Sequence, residues 1–419
     1  MKKNKIRFLC LFLVSVNFLV SCAGSGTEKQ SKVSATPWET TKETENTGGD
    51  VTSISADDAF TRAEQILKDM SLDEKIGQLF IVNLELLDTS KGSYYNFTKI
   101  NKKIKQAMTM YPVGGVILQS KNIETPEQLK KLISDLQAAS PHTPLYIATE
   151  EAGGTNSIFA GNSNLRGTVF PSYYELGHNK SMEEIEQIGT TVGNELKDFG
   201  FNLNLAPTAD VGDEEKNPSY VSQCFSTEAD KVESCVSSII TGMDNAGMGT
   251  VLRTFPGLGS VQGKIGQELV NNDNSLTHMR EVDFLPFQAG IDAGADCIMV
   301  SNTAVSKITQ NTAPASMSEL IIEGIIREEL GFEGVVMTDS MNCPVITENY
   351  SADEAALQVL VAGVDVILMP ENLDTAFQGI KKAVINQSLD MRVLNAAVLR
   401  ILQNKIQQGI ITLDESDAP

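Results

Sequence analysis

The chain has 419 residues, with 33 Lys and Arg against 54 Asp and Glu and a formal net charge of −21. So large an acidic excess excludes nucleic acid and anionic headgroups as electrostatically favoured partners. Six cysteines are present without any Cys-x-x-Cys pair, which excludes the common zinc and thioredoxin patterns, and no metal or cofactor is expected.

The chain opens with Lys2, Lys3, Lys5 and Arg7, followed by an apolar run from Phe8 to Val20 broken by Ser15 and Asn17. A basic start before a short apolar stretch reads as a secretory leader over residues 1–21, because a membrane span needs about 20 apolar residues. The run ends in Leu19-Val20-Ser21-Cys22. That ending resembles the bacterial lipobox, in which the cysteine receives lipid. Cys22 is therefore the expected lipidation site, and a lipid anchor the expected link to the membrane, outside the cytoplasm. Residues 22–52 hold Gly, Ser, Thr, Glu and Lys with almost no aliphatic side chains. Such a segment buries too little apolar surface to offset its ordering entropy and is expected to be a tether.

No low-complexity break interrupts residues 53–419, so one domain is expected there. Eight short apolar runs stand out, at 78–83, 114–119, 145–150, 201–207, 249–256, 296–301, 334–339 and 364–370. Most are continuous rather than alternating, as strands buried on both faces of a parallel sheet require. Helical stretches separate them. Several open on a capping signal: Ser181-x-x-Glu184, Ser316-x-x-Glu319, Ser351-x-x-Glu354, and Thr125 before Pro126. Eight strand–helix alternations predict an α/β fold, a (β/α)8 TIM-type barrel. A doubly wound open sheet competes, but no Gly-rich phosphate loop supports it.

In such a barrel the chemistry sits at the C-terminal ends of the strands. The polar residues expected there are Glu150, Asn204, Arg253, Asn302 and Asp339, with Asp339 the hardest to explain as core. Cys297, inside an apolar run, reads as a buried small hydrophobe. A disulfide among Cys224, Cys235, Cys297 and Cys343 has no assignable pairing. The three histidines, His142, His178 and His278, fall beside helix starts or before a strand rather than at a strand end, so none is expected to be a catalyst.

Several stretches together resemble family 3 glycoside hydrolases, in particular the single-domain β-N-acetylhexosaminidases. They include Met70-Ser71-Leu72-Asp73-Glu74-Lys75-Ile76-Gly77-Gln78, Gly114-Gly115-Val116-Ile117-Leu118 and Asn202-Leu203-Asn204-Leu205-Ala206-Pro207. Ala293-Gly294-Ala295-Asp296, the run from Arg327 to Val336 and Ala362-Gly363-Val364-Asp365 match as well. The resemblance implies a metal-free retaining glycosidase acting on N-acetylglucosamine-containing glycans, including cell-wall (peptidoglycan) fragments. Its nucleophile would be Asp339, ending the seventh strand. Glu150, Arg253 and Asn302 stand at substrate-binding positions.

The resemblance also implies a departure. The family's loop after the fifth strand reads Lys-His-Phe-Pro-Gly-His-Gly-Asp-Thr-x-x-Asp-Ser-His and carries an Asp–His acid/base dyad. Here that stretch runs from Arg253 to Gly266, with Lys264 at the aspartate and Gly266 at the histidine. Family Asp-Gln-Glu-Gly-Gly-Arg becomes Glu150-Glu151-Ala152-Gly153-Gly154-Thr155, Arg-Ser-Phe becomes Gln223-Cys224-Phe225, and Ala-His becomes Ser301-Asn302. Three readings follow. A working hydrolase would need a substitute acid, with Glu268, Glu150 and Glu151 the candidates. A barrel that keeps Asp339 alone would lose about 10²–10⁴ in rate, roughly 3–5 kcal/mol of barrier. Alternatively, the protein is an inactive surface lipoprotein, a glycan-binding module or scaffold. The pattern favours the last two, because the fold's punctuation is intact while the site's donors are replaced.

Overall fold

The computed structural model describes residues 54–412, apart from 93, 141, 163 and 166 and the side chain of 156. The leader over 1–21, Cys22 and the tether over 22–52 lie outside the described residues. Eight parallel strands carry the fold: β1 (Phe80–Val82), β2 (Gly115–Ile117), β3 (Tyr146–Thr149), β4 (Leu203–Asn204), β5 (Gly249–Phe255), β6 (Cys297–Val300), β7 (Val335–Thr338) and β8 (Ile367–Leu368). Each falls within one of the apolar runs of the sequence. Their order is β7-β6-β5-β4-β3-β2-β1-β8. A parallel bridge from Met337 to Val366 joins the two ends, and the amide of Thr338 donates to the carbonyl of Val366 at 2.9 Å. The sheet is thus closed, as the (β/α)8 barrel expectation required.

Phe80, Ile81 and Val82 are all fully buried, as are Val335, Val336 and Met337. Side chains on both faces of each strand are covered, one set filling the barrel and the other packed beneath helices. Helices Met182–Phe199 and Ala229–Asn245 pack side by side on the outside, as do Ala56–Asp69 and Met391–Gln407. Burial of each large aliphatic side chain contributes about 1.5–3 kcal/mol.

The Ser181–Glu184 and Ser351–Glu354 capping boxes form, and Thr125 caps Pro126–Ala139. Ser316 does not cap a helix. It sits in a short turn, Ala315–Met317, and its buried hydroxyl donates to Asn302 Oδ1 at 2.7 Å. The helix Leu320–Glu329 is instead approached by Ser318, whose Oγ accepts from the Ile321 amide at 3.4 Å. The four cysteines within the described residues are free thiols, and Cys297 is buried as expected.

At the N-terminal ends of the strands, the foot of the barrel, the carboxylates of Asp365 and Asp296 and the ammonium of Lys405 are heavily engaged, while the buried Nε of Arg327 has no partner. Asp365 accepts from Arg327 (2.7 Å), Arg400 (2.9 Å) and the Val336 amide (2.8 Å). Lys405 is completely buried, yet its ammonium donates at 2.8 Å to Gln78 Oε1 and to the carbonyls of Gly114 and Pro144. Asp296 accepts from the Thr250 amide, Asn404 and Gln408. Three donors meeting three acceptors is what a buried ammonium needs. No helix of the described residues is long and apolar enough to cross a membrane.

Candidate active site

At the other end, the strand termini bring Glu150, Arg253 and Asp339 into one electrostatic neighbourhood. Asp339 follows β7 directly, and its own amide donates to the Val300 carbonyl at 2.9 Å, fixing the start of the loop. One carboxylate oxygen, Oδ1, accepts from the Ser340 amide at 2.7 Å. Burial raises its pKa and the charge of Glu150 adds to this, opposed by the Ser340 hydrogen bond and by Arg253. The side chain is half-buried rather than sealed.

Arg253 projects from β5. Its Nη1 lies 2.5 Å from Glu150 Oε1 and donates to the Leu205 carbonyl at 3.2 Å, while its buried Nε has no partner. Burial alone would lower the guanidinium pKa; Glu150, Tyr220 and Asp339 more than reverse this, so it stays charged. Glu150 also lines a cavity of about 180 Å³ with Gln119, Ser120, Thr149, Thr155 and Ser157, backed by Ile117, Leu118 and Ile158. That is smaller than the ~300–1,000 Å³ of typical small-molecule pockets. Its mixture of hydroxyls, one amide and one carboxylate over an apolar floor suits a small polyhydroxylated group.

Two other residues at the strand ends have their polar atoms committed to the protein. Asn204 pairs its side-chain amide with the Glu151 backbone, accepting at 2.9 Å and donating at 3.0 Å, which ties the ends of β3 and β4 together. Asn302 donates to the Ser340 carbonyl (3.0 Å) and to Cys343 Sγ (3.4 Å) and accepts from Ser316. It thus holds the peptide that follows Asp339.

The three candidate substitute acids are placed very differently. Glu151 is buried in its own loop, accepting from the amides of Gly153, Ile158 and Phe159 and from the Ser157 hydroxyl. Burial pushes its pKa up to about 7 against those hydrogen bonds. Glu268 is exposed and turned onto its own loop, where Oε1 accepts from the Lys264 amide at 3.1 Å. Of the three, Glu150 alone lines the mouth cavity, and Arg253 holds it.

Lys264 is exposed, and Gly266 has φ +78°. A Cβ added at Gly266 would lie 4.0 Å from that of Cys343, and the Gly266 carbonyl accepts from the Val345 amide at 3.2 Å. Burial and the nearby Asp339 push the Cys343 thiol up. The side chain beside Asp339 and Gly266 is therefore a neutral thiol.

All three histidines are exposed. His142 lies 3.3 Å from Glu74, His178 Nδ1 lies 2.7 Å from the Tyr174 carbonyl, and His278 lies 4.0 Å from Asp283. Among the described residues no group of three or more His, Cys, Asp or Glu side chains could hold a metal ion.

Sequence reasoning missed Cys343, Ser316, Gln119, Thr155 and Ser157. Ser316 was visible, but as a capping signal. Cys343 and Gln119 lie within five residues of a strand end, which was the one available cue.

The glycosyl hydrolase family 3 N-terminal domain matches residues 71–404, and the chain belongs to this family. A β-hexosaminidase of Stenotrophomonas maltophilia (strain R551-3) is 29% identical over 293 residues, 68% of this chain and 85% of that protein. A β-hexosaminidase of Nitrosomonas eutropha is 31% identical over 272 residues, covering 63% and 75%. Among solved structures, a family 3 β-N-acetylglucosaminidase from Paenibacillus sp. str. FPU-7 superposes with a TM-score of 0.74 at 26% identity. The match covers 83% of this chain and 65% of that one, so this chain spans just under two thirds of its length. The β-N-acetylhexosaminidase of Beutenbergia cavernae matches with a TM-score of 0.69 at 27% identity, over 80% and 98% of the two chains.

Proposed function

We propose that this protein is a lipid-anchored, extracytoplasmic glycan-binding member of family 3. In this reading it takes N-acetylglucosamine-containing wall fragments at the barrel mouth and retains Asp339 as a nucleophile without an acid/base partner. One observation carries the reading: the groups near Asp339 are a thiol and an ion-paired carboxylate, in keeping with Lys264 and Gly266 at the positions where the family resemblance would put the dyad. A retaining glycosidase needs a carboxylate to attack the anomeric carbon and a second group to protonate the departing oxygen. Asp339 supplies the first. For an ordinary sugar leaving group nothing supplies the second, and a cost of about 10²–10⁴ in rate follows.

A nitrophenolate departs with its electron pair without protonation, so aryl N-acetylglucosaminides escape most of that cost. The expected behaviour is slow release of nitrophenol and, with a fluorinated trapping sugar, an ester on Asp339. Chitobiose should bind intact. A bound ligand raises the melting point by linkage, about 2.7 kcal/mol of stabilisation at a hundredfold excess over Kd. Chitobiose hydrolysis at the rate of an intact hexosaminidase would overturn the reading. For the anchor, Cys22→Ala should release the chain from the membrane fraction; unchanged fractionation would refute lipidation at that residue.

A further inference from the structure

In the described structure the loop after β5 is tied down on both limbs, 254–261 and 270–274, with the tip between them largely exposed. The Leu258 amide donates to Asp210 Oδ1 at 2.9 Å and the Thr254 amide reaches the same oxygen at 3.4 Å, while Tyr220 donates its hydroxyl to Oδ2 at 2.7 Å. Asn217 donates to the Leu258 carbonyl (3.2 Å), and Asn272 to the Gly257 carbonyl (2.9 Å). Asn274 donates to Ser260 Oγ (2.9 Å) and to the buried carboxylate of Asp283 (3.0 Å). The return limb is bridged to the segment after β6: the Asn272 amide donates to the Ala304 carbonyl and the Ala304 amide to the Val270 carbonyl. Leu258, Val261 and Val270 form a hydrophobic cluster separate from the main core, with Tyr220 and Ile265 packed on it. Gly259 lies so close to the loop after β4 that an added Cβ would collide with the Val211 carbonyl.

We propose that residues 254–274 form a permanently seated wall of the barrel mouth, latched from behind by Asp210, and not a loop that closes over a ligand. Three apolar residues, Leu258, Val261 and Ile265, turn inward from the short stretch where a working loop would present polar groups. Packing Leu258 and Val261 away, with Ile265 half-buried against them, favours the seated state. Asp210 is a positioning residue here. It touches no mouth cavity but holds two amides of the wall and the ring that covers the cluster. Because the seated state is a property of the free protein, the inference stands or falls independently of what the mouth binds.

Hydrogen exchange of the full chain, followed by mass spectrometry, tests it. Peptides covering 254–272 should exchange as slowly as those from β4 and β6, and chitobiose should leave that exchange unchanged. Asp210→Asn should speed exchange in this segment about ten- to a hundredfold, as expected when amides lose a charged acceptor, while β1 and β2 keep their rates. Tyr220→Phe removes a single hydrogen bond and serves should Asp210→Asn fail to fold; it should speed the same peptides by less. Unprotected exchange over 254–266 in the free protein, or protection appearing only with chitobiose, would overturn the proposal. So would unchanged local exchange in both variants.

Discussion

The two ends of this barrel hold their carboxylates differently. At the foot, Asp365 meets two arginines and an amide, and Lys405 meets three oxygens, although the buried Nε of Arg327 has no partner. At the mouth, Asp339 accepts from the Ser340 amide, and the nearby Arg253 pairs instead with Glu150. A carboxylate paired with two arginines braces the fold, whereas one held by a single amide is left open to a ligand.

Substitutions at the two ends should therefore separate stability from ligand response. Asp365→Ala strands two arginines in the foot and should cost about 3–5 kcal/mol, read as loss of resistance to urea. Equal loss from a mouth substitution would break the contrast.

Lys405 gives the next largest effect and a pH signature. Burial pulls its pKa down to about 7, against about 10.4 in an unfolded chain. Between those values the unfolded state binds more protons, so the contribution of Lys405 to stability rises with pH by up to ~1.4 kcal/mol per unit. Lys405→Met should strand the three oxygens and lack that slope. Urea midpoints of both proteins from pH 7 to 10 should diverge in favour of the wild type.

At the mouth, Arg253→Met should change stability by about 1 kcal/mol or less, because Glu150 is more than a third exposed. The melting shift with chitobiose should nevertheless vanish. A pair of serines gives effects of similar size. Ser181→Ala should cost about 1 kcal/mol through its lost cap. Ser316→Ala should instead lower labelling of Asp339 a few-fold by freeing Asn302, with little change in the helix Leu320–Glu329.

That pair shows what the sequence could and could not carry. Ser181 and Ser316 present the same Ser-x-x-Glu pattern, and only the first begins a helix; the difference lies in Asn302, fourteen residues upstream of Ser316. The strands were legible because their apolar runs are continuous, a direct consequence of burial on both faces. The end of β7 made Asp339 legible for the same reason. Glu151 was not distinguishable from Glu150, since adjacent carboxylates in one loop can face a cavity or their own backbone. The seated loop was half legible. Leu258, Val261 and Ile265 recur at helix-like spacing, but the residues that hold them, Asp210, Asn217 and Asn272, come from other segments.

The central claim is that the mouth keeps a nucleophile and has lost its acid. Its most direct test is peptide mass mapping after the protein is mixed with a 2,4-dinitrophenyl N-acetylglucosaminide and a fluorinated trapping sugar, with chitobiose turnover followed in parallel. A covalent sugar is expected on the peptide containing Asp339, absent in Asp339→Asn, with chitobiose left uncleaved. No adduct on the wild type, or brisk chitobiose cleavage, would contradict it.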